Sequence, residues 1–448
     1  MNIDRRILFS AGLGAGVTLV ATSAASAGPR RSGSSADWGL EPGSGTDQTA
    51  ALQAAIDESS ARKTPLVLSA GTYRAGEIVL RPGTRIIGAA GMTILEFAGG
   101  PIFMHGEDAP GAGLEDLAID GAMLALDPDR TSGLLSLVAC EGITLRNIDV
   151  RRSLLDGLSL ERCSGRVAEC SISAVSQSGL RSLDARGLEI LNNKITDCAN
   201  NGIQVWRSEP GEDATIVSGN RIERIAARAG GTGQNGNGIN VFRAGGVLVT
   251  GNRIADCAYS AIRANASSNI QMVANSCARL GEVALYAEFG FEGALIASNL
   301  IDTAASGIAV TNFNEGGRLA VIQGNLVRNL FMREQEPEDK RGIGISIEAD
   351  SLVSGNTIDG APGAGIVIGW GKYMRDCAVT QNLIRNSGTG ILVTLDPDAG
   401  ACLIANNMIS GTRGGAIRAM RLGQVMGPEL AGQETSGPRI KLSGNFSA

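Results

Sequence analysis

The chain has 448 residues, of which 62 are glycine and only 9 are Phe, 4 Tyr and 3 Trp, and its formal net charge is −6. A core so poor in large side chains has to come from small and β-branched residues in many short strands. The acidic balance, with no basic run longer than an arginine pair, argues against nucleic acid as a partner.

Residues 1–27 read as an export signal. Arg5 and Arg6 precede a Gly/Ala-rich apolar stretch from Ala11 to Ala21, and Ala25-Ser26-Ala27 is a small-residue cleavage site. The arginine pair followed by Ile7-Leu8-Phe9 resembles a twin-arginine signal, with Asp4 where Ser or Thr is usual; an ordinary secretory signal is the alternative. No other stretch approaches ~20 continuous apolar residues. The mature chain is therefore expected in the periplasm or outside the cell, with no membrane span.

Residues 28–36 are rich in Gly, Ser and Arg and read as a disordered linker. Residues 37–91 read as an N-terminal cap with the first coils. Ala50, Leu52, Ala55 and Ile56 recur at helical spacing behind Thr46-Asp47, which can cap a helix start, and Leu66-Val67-Leu68 follows as a strand. A helix is a suitable lid for the open end of a solenoid, whose first coil otherwise exposes core and unpaired strand edges.

The string from Gly43, G-S-G-T-D-Q-T-A-A-L-Q-A-A-I-D, followed by Ala70-Gly71-Thr72-Tyr73, resembles the start of pectate-lyase-superfamily β-helices, among them polygalacturonase-like enzymes and phage tailspikes. With the export signal, the whole resembles an uncharacterised family of twin-arginine-translocated repetitive proteins. The resemblance implies a right-handed parallel β-helix and says little of activity.

The coils themselves are legible across residues 92–423. A signature G-I-x-V, seen at Gly238 to Val241, recurs with Gly or Ala leading at positions 157, 179, 202, 261, 284, 307, 344, 365, 390 and 416. A second, G-N-x-I, places Asn at positions 147, 193, 220, 252, 275, 299, 325, 356, 382 and 407, with Glu169-Cys170 filling the slot where it is lacking. A third apolar run, such as Val247-Leu248-Val249, lies between them. A period in the low twenties with three strand-like runs specifies an all-β, single-stranded parallel β-helix solenoid. Within G-I-x-V the Ile and Val point inward and the middle residue outward. The repeated Asn is expected to stack as an internal ladder at a tight corner.

The eight cysteines fit this frame as small buried hydrophobes. Cys198 and Cys257 occupy the slot that holds Ile225 and Leu280 elsewhere, while Cys377 and Cys402 stack on consecutive coils, so a bond between that pair stays open. With no C-x-x-C and a single histidine, His105, read as a surface or cap residue, no metal is expected. Residues 424–448 read as a C-terminal cap or tail, with Arg439-Ile440-Lys441 outside the repeat.

Function belongs where the repeat is broken. From each Asn to the next G-I-x-V the spacing is 8 to 10 residues, widening to 18 before Gly238 and 19 before Gly344; the connection after G-I-x-V also varies, carrying WRSEPGED, NFNEGG, GWGKYMRD and LDPDAG. Both corners flank the G-I-x-V sheet, so their loops can wall a groove along that face. In related β-helix enzymes the cleft lies on the equivalent sheet, which the resemblance implies here too.

The outward position of the signature gives Ser159, Arg181, Gln204, Asn240, Arg263, Tyr286, Ala309, Ser346, Val367, Leu392 and Arg418. Just past the strand come Trp206 and Arg207, Phe242 and Arg243, Asn265, then Glu288 and Phe289. Arginine forks suit carboxylates or sulfates and ring faces suit pyranose faces. Arg181, Gln204, Trp206, Arg207, Asn240, Phe242, Arg243 and Asn265 are therefore the candidate binding residues for an acidic polysaccharide, with the loops at Thr232 to Asn237 and Arg333 to Arg341 as lids. For chemistry, β-elimination on a uronic acid needs a base and a positive charge beside the carboxylate. Arg263 and Tyr286 are the candidates for those roles, with Glu288 available for hydroxyls or a cation. No acidic cluster matches the calcium site of pectate lyases, so no cofactor is expected, calcium being the open but unsupported alternative. The Gly-His-Gly of polygalacturonase-like hydrolases is missing as well. Two readings follow: a lyase or hydrolase acting on a polysaccharide, or a non-catalytic periplasmic glycan-binding or envelope scaffold protein.

Overall fold

The computed structural model describes residues 33–231, 233–336, 341–433 and 439–448. The expected export signal and the residues up to 32 lie outside them. From Gly33 onward the chain winds into the parallel β-solenoid the repeats specify, with about 14 turns, consistent with the right-handed β-helix the resemblance implies. One coil shows the plan. Asn237–Gly245 carries G-I-x-V, Leu248–Thr250 follows after a corner, and Arg253–Cys257 completes the turn. Each strand pairs in parallel and in register with its equivalent in the next coil, so Ile239 lies against Ile203 and Ile262, and Asn240 against Gln204 and Arg263. We call the three stacks the groove sheet, the outer sheet and the ladder sheet.

The period of two decides what is inside. Ile239, Val241, Val249 and Ile254 are fully buried, and the same slots in every coil join into one continuous core. The outward residues of the groove sheet run in the expected order from Ser159 to Arg418. The row also extends upward. Ser136 pairs with Ser159, and His105 with Ser136, so His105 stands on the groove sheet rather than in a cap. Met104-His105-Gly106 carries no G-I-x-V, so the signature alone does not place His105 on this sheet.

Ten asparagines, from Asn193 to Asn445, form the internal ladder. In each step, as from Asn252 to Asn275, the backbone N–H and the Nδ2 of one Asn both donate to the Oδ1 of the next at 3.0 Å, while Nδ2 also donates to a carbonyl of the coil before, here Val217 at 2.9 Å. The residue ahead of the Asn takes a left-handed conformation, as at Gly251 (φ 65°), which is why glycine precedes it so often. Asn147 is not a rung. Register aligns Ile148 with Cys170 and Asn193, and Asn147 fills the left-handed place ahead of it, exposed and donating to Asp116 Oδ1 at 2.7 Å.

A second polar column lines the corner before G-I-x-V. Ser178 N–H donates to Asp156 Oδ1 at 2.8 Å, and Asn237 N–H to Asn201 Oδ1 at 3.1 Å. Burial pushes the Asp156 carboxyl up to about 7, opposed by the Ser178 N–H and the charge of Arg181.

The ends differ from expectation in detail. The N-terminal helix spans Thr49–Ala61 and buries Leu52, Ala55, Ile56 and Ser59; Ala50 is exposed. Asp47 Oδ1 accepts the Thr49 N–H at 2.8 Å, one position ahead of the helix cap at Gln48. Gly33–Ser34 already pairs with Leu66–Val67, so the last residues read as linker belong to the first turn. At the other end Gln424–Glu429 folds back antiparallel on Ile417–Arg421, and Ile440–Ser443 then resumes the outer sheet, placing Ile440 and Lys441 inside the repeat. Asn445 closes the ladder there. All eight cysteines are free and buried, including Cys377 and Cys402, which are register partners. Among the described residues no helix is long and apolar enough to cross a membrane.

Candidate functional site

The groove sheet brings the expected residues into two clusters. In the first, Trp206 and Phe242 project from neighbouring coils with ring centroids 6.0 Å apart at 68°. Trp206 Nε1 donates to Asn240 Oδ1 at 2.7 Å, and the Arg243 guanidinium lies 4.8 Å over the Phe242 ring while donating to the Ser208 carbonyl. Arg207 reaches the Glu209 carbonyl. Gln204 and Asn240 are buried, and Asn240 Nδ2 donates to the Gly233 carbonyl at 2.9 Å, so the inserted loop before Gly238 sits on it. Arg181, on the coil before Gln204, is half-buried.

The second cluster centres on Arg263, whose side chain is only 7% exposed. Its Nε and Nη2 meet Glu288 Oε1 and Oε2 at 2.7 and 3.0 Å, its Nη1 meets Glu282 Oε2 at 3.0 Å, and its guanidinium stacks 4.9 Å over the Tyr286 ring. Asn265 Nδ2 also donates to Glu288 Oε1, at 3.1 Å. The carboxylates hold the Arg263 proton more tightly than usual, even against its burial. Burial, assisted by Glu288, pushes the Tyr286 phenol up to about 12. Both groups thus stay protonated near neutral pH. Neither is therefore placed to remove a proton, and the Arg263 charge is balanced by Glu282 and Glu288.

A pocket of about 380 Å³ opens where this cluster ends, on coils whose outward residues read as apolar. Its floor is Tyr286, Ala309, Ser346 and Val367, four successive rungs of the groove sheet. One wall comes from the corner after the strand. Trp370 and Tyr373, paired across a tight turn by two backbone hydrogen bonds, stand there beside Asn312, Asn314 and Glu348. The Phe313 N–H donates to Glu348 Oε2 at 2.6 Å, and Arg375 stacks 4.6 Å over the Phe313 ring, which fixes this wall. The opposite wall carries Glu282 and Glu336. Arg333 bridges them, its Nη1 3.4 Å from Glu282 Oε1 and 2.8 Å from Glu336 Oε1, with its guanidinium over the Tyr259 ring. The described part of the charged loop at 333–341 therefore reaches the pocket.

Burial raises the pKa of Glu282, and the charges of Arg263 and Arg333 oppose the rise. A carboxyl so placed is a candidate proton donor. Among the described residues no group of three His, Cys, Asp or Glu side chains is arranged to hold a metal ion.

Glu282, Glu336, Glu348, Trp370 and Tyr373 were not among the expected site residues. Two signals pointed to them. GWGKYMRD puts two aromatics into one corner of an aromatic-poor chain, and Glu282 stands two residues before its signature, where later coils carry Gly342, Gly363, Gly388 and Gly414.

Comparison with known proteins agrees with this architecture. The family model described as right handed beta helix region matches residues 132–226, 156–325 and 210–384, which together span more than half of the chain. The chain belongs to this β-helix family. Residues 34–111 match the model of rhamnogalacturonase A/epimerase, pectate lyase-like, in the segment that carries the helix and first coils. Among solved structures, the β-helix is similar to the surface adhesin PfbA of Streptococcus pneumoniae, at 13% identity and TM-score 0.52 over 88% of this chain and 94% of that one. It is also similar to the N-terminal fragment of bacteriophage phi29 gene product 12, at 15% identity and TM-score 0.52 over 92% and 70%. The mannuronan C-5 epimerase A-module of Azotobacter vinelandii aligns over 93% of this chain and 99% of its own at 13% identity, with TM-score 0.43. At these identities the likeness is one of fold. No curated relative matches the chain in sequence.

Proposed function

We propose that this β-helix binds a polysaccharide along the groove sheet, with one sugar unit seated in the pocket over Tyr286. The observation that carries the reading is the combination in one pocket of aromatic faces, Tyr286, Trp370 and Tyr373, with carboxylates and amides at its rim. Pyranose rings pack on aromatic faces while their hydroxyls need convergent acceptors and donors. The two arginines nearest the pocket are already paired with Glu282, Glu288 and Glu336, so the pocket itself suits an uncharged sugar unit. Acidic groups on the chain find Arg207 and Arg243 beside Trp206 and Phe242. That platform lies two to three coils up the stack from Tyr286, about 10–14 Å away at ~4.8 Å per coil.

Within this reading, binding is favoured over cleavage by the engagement of Arg263 with two carboxylates. If the site turns substrate over, Glu282 is the residue we assign as proton donor to the departing glycosidic oxygen. The mature protein would be incubated with a panel of acidic and neutral polysaccharides, with and without calcium. New reducing ends abolished in Glu282→Gln establish a hydrolase, and unsaturated uronates a lyase. Retention of a polymer without either product establishes the non-catalytic glycan-binding protein, and failure to retain any polymer overturns the proposal.

We further propose export by the twin-arginine route, on the strength of Arg5-Arg6 and the small-residue site at 25–27. Cell fractionation tests it: Arg5→Lys with Arg6→Lys should hold the chain in the cytoplasm, and unchanged export would point to the ordinary secretory route.

A further inference from the structure

The outer sheet changes character abruptly along its length. In its early coils the two outward rows carry Arg85, Glu115, Arg146, Arg166 and Glu189, tied into cross-coil ion pairs such as Arg146–Glu115 at 2.6 Å and Arg166–Glu189 at 2.6 Å. From the next coil on, eight successive rungs hold no charged residue in either row. One row runs from Ile216 and Leu248 through Gln271 to Leu295, Val321, Leu352, Ala378 and Leu403; the other, from Ser218 to Ala405, is small or amide-bearing throughout. Leu295, Leu352 and Leu403 are each more than a third exposed, and a shallow groove of about 570 Å³ runs past Leu295 and Leu352, with Asp350 and Asp376 along its edge. The charge returns one rung later, at the exposed Lys441.

Sixteen outward positions without a charge, in a chain that is 19% charged, are not what a solvated face needs. We propose that this face is the interface of a two-fold homodimer in which the two solenoids lie antiparallel, outer sheet on outer sheet. Three features select a second copy as the occupant. The rungs repeat at ~4.8 Å, so the side-chain ridges of an identical face interdigitate along the whole length. Full antiparallel overlap sets Ile216 of one copy against Leu403 of its partner, which brings Glu189 of each copy to Lys441 of the other at both ends, one charge of each sign. Finally, eight rungs four residues wide, the two uncharged rows together with the edge that carries Asp350 and Asp376, make a face of roughly 38 by 13 Å, so two in contact cover on the order of 1,000 Å² in total, the lower bound for a specific interface. An isologous contact of that size, apolar at its centre and charged at its rim, forms a reversible dimer. It leaves the groove sheet of each copy open.

Sedimentation velocity on the wild-type chain from about 1 to 200 μM, a range chosen to bracket a micromolar Kd, should show a concentration-dependent monomer–dimer equilibrium. Leu295→Glu, on a rung beside the two-fold axis, should give monomer throughout with an unchanged melting temperature, because Leu295 points outward. Lys441→Glu should weaken the dimer about tenfold, a factor worth about 1.4 kcal/mol, and Glu189→Lys added to it should restore the affinity. Wild type that stays monomeric over the whole range overturns the interface, as does a dimer indifferent to Leu295→Glu. A dimer lost in Leu295→Glu but unmoved by Lys441→Glu overturns the antiparallel register. Polysaccharide retention should be the same in all these variants, so the outcome is independent of the proposed groove function.

Discussion

The corner that carries the asparagine ladder and the corners that frame the groove sheet are made by the same repeating chain and differ in almost every physical respect. At the ladder corner the spacing hardly varies, every polar atom of the Asn side chain is bonded inside the protein, and one rung is interchangeable with the next. At the groove corners the loops differ from coil to coil and are tied across by irregular contacts, the Arg333 side chain to Glu282 and the Phe313 backbone N–H to the Glu348 carboxylate. Regularity there would be of no use to a ligand. The difference teaches that stability in this molecule is periodic and the candidate site is not.

The comparison breaks most severely at the ladder. Asn275→Ala removes the Oδ1 that accepts both the N–H and Nδ2 of Asn252 and removes the Nδ2 that serves Val249 and Asn299. Buried donors left without partners cost ~1–3 kcal/mol each, so a total of about 4 kcal/mol is expected. Denaturant unfolding measures it, and the folded variant should still retain polysaccharide as wild type does.

Next in size is the column on the other side of the groove sheet. The folded pKa of Asp156 is raised to about 7 from an ordinary 3.8, so between those values the folded chain binds the extra proton and the unfolded chain does not. The contribution of Asp156 to stability therefore falls as pH rises from about 4 to about 7. Asp156→Asn keeps the Oδ1 that accepts Ser178 N–H and matches the Asn found at 201 and 237. It should be more stable than wild type at pH 8 by on the order of 2 kcal/mol, with the gain vanishing near pH 4. Thermal melts at both pH values check the sign.

At the groove corners the expected effect moves from stability to binding. Trp370→Ala removes an aromatic wall of the pocket while leaving core and ladder untouched. Affinity for the retained polysaccharide should fall at least tenfold, about 1.4 kcal/mol or more, with little change in melting temperature. An unchanged affinity would move the sugar to Trp206 and Phe242.

How much of this was legible before the structure follows the same divide. The coils could be read because Gly, Ile, Val and Asn recur at positions that each demand them: Gly251 for its left-handed backbone, Ile239 and Val241 for the core, Asn252 for the ladder. Where a coil lacks the signature, as around His105, or where an Asn sits one place early, as Asn147, the reading slipped. The pocket was not legible as a whole, because its walls come from separate coils and meet only through loop conformation. Pattern showed that Arg263, Tyr286 and Glu288 share a face. It could not show that Glu282 completes the ion pairs of Arg263, since the two residues lie on different coils and meet only once the corner is folded.

The smallest expected effect separates periodicity from burial. A second regular ladder runs along the outside of the solenoid, where Arg224 meets Asp197 in a bidentate pair at 2.7 and 2.8 Å, Arg279 meets Asp256 and Arg328 meets Asp302. Asp and Arg alternate on these successive coils, with an ion pair at every second step, but its members are about half exposed. Water and salt screen such pairs, and holding two long side chains in place costs entropy. Arg224→Ala should therefore cost only about 0.5 kcal/mol at low ionic strength and less at 0.5 M salt. A loss approaching that of Asn275→Ala would mean that stacking in register, wet or dry, is what holds the coils together. A loss this small assigns the role to the buried amides, whose bonds have no water to compete with.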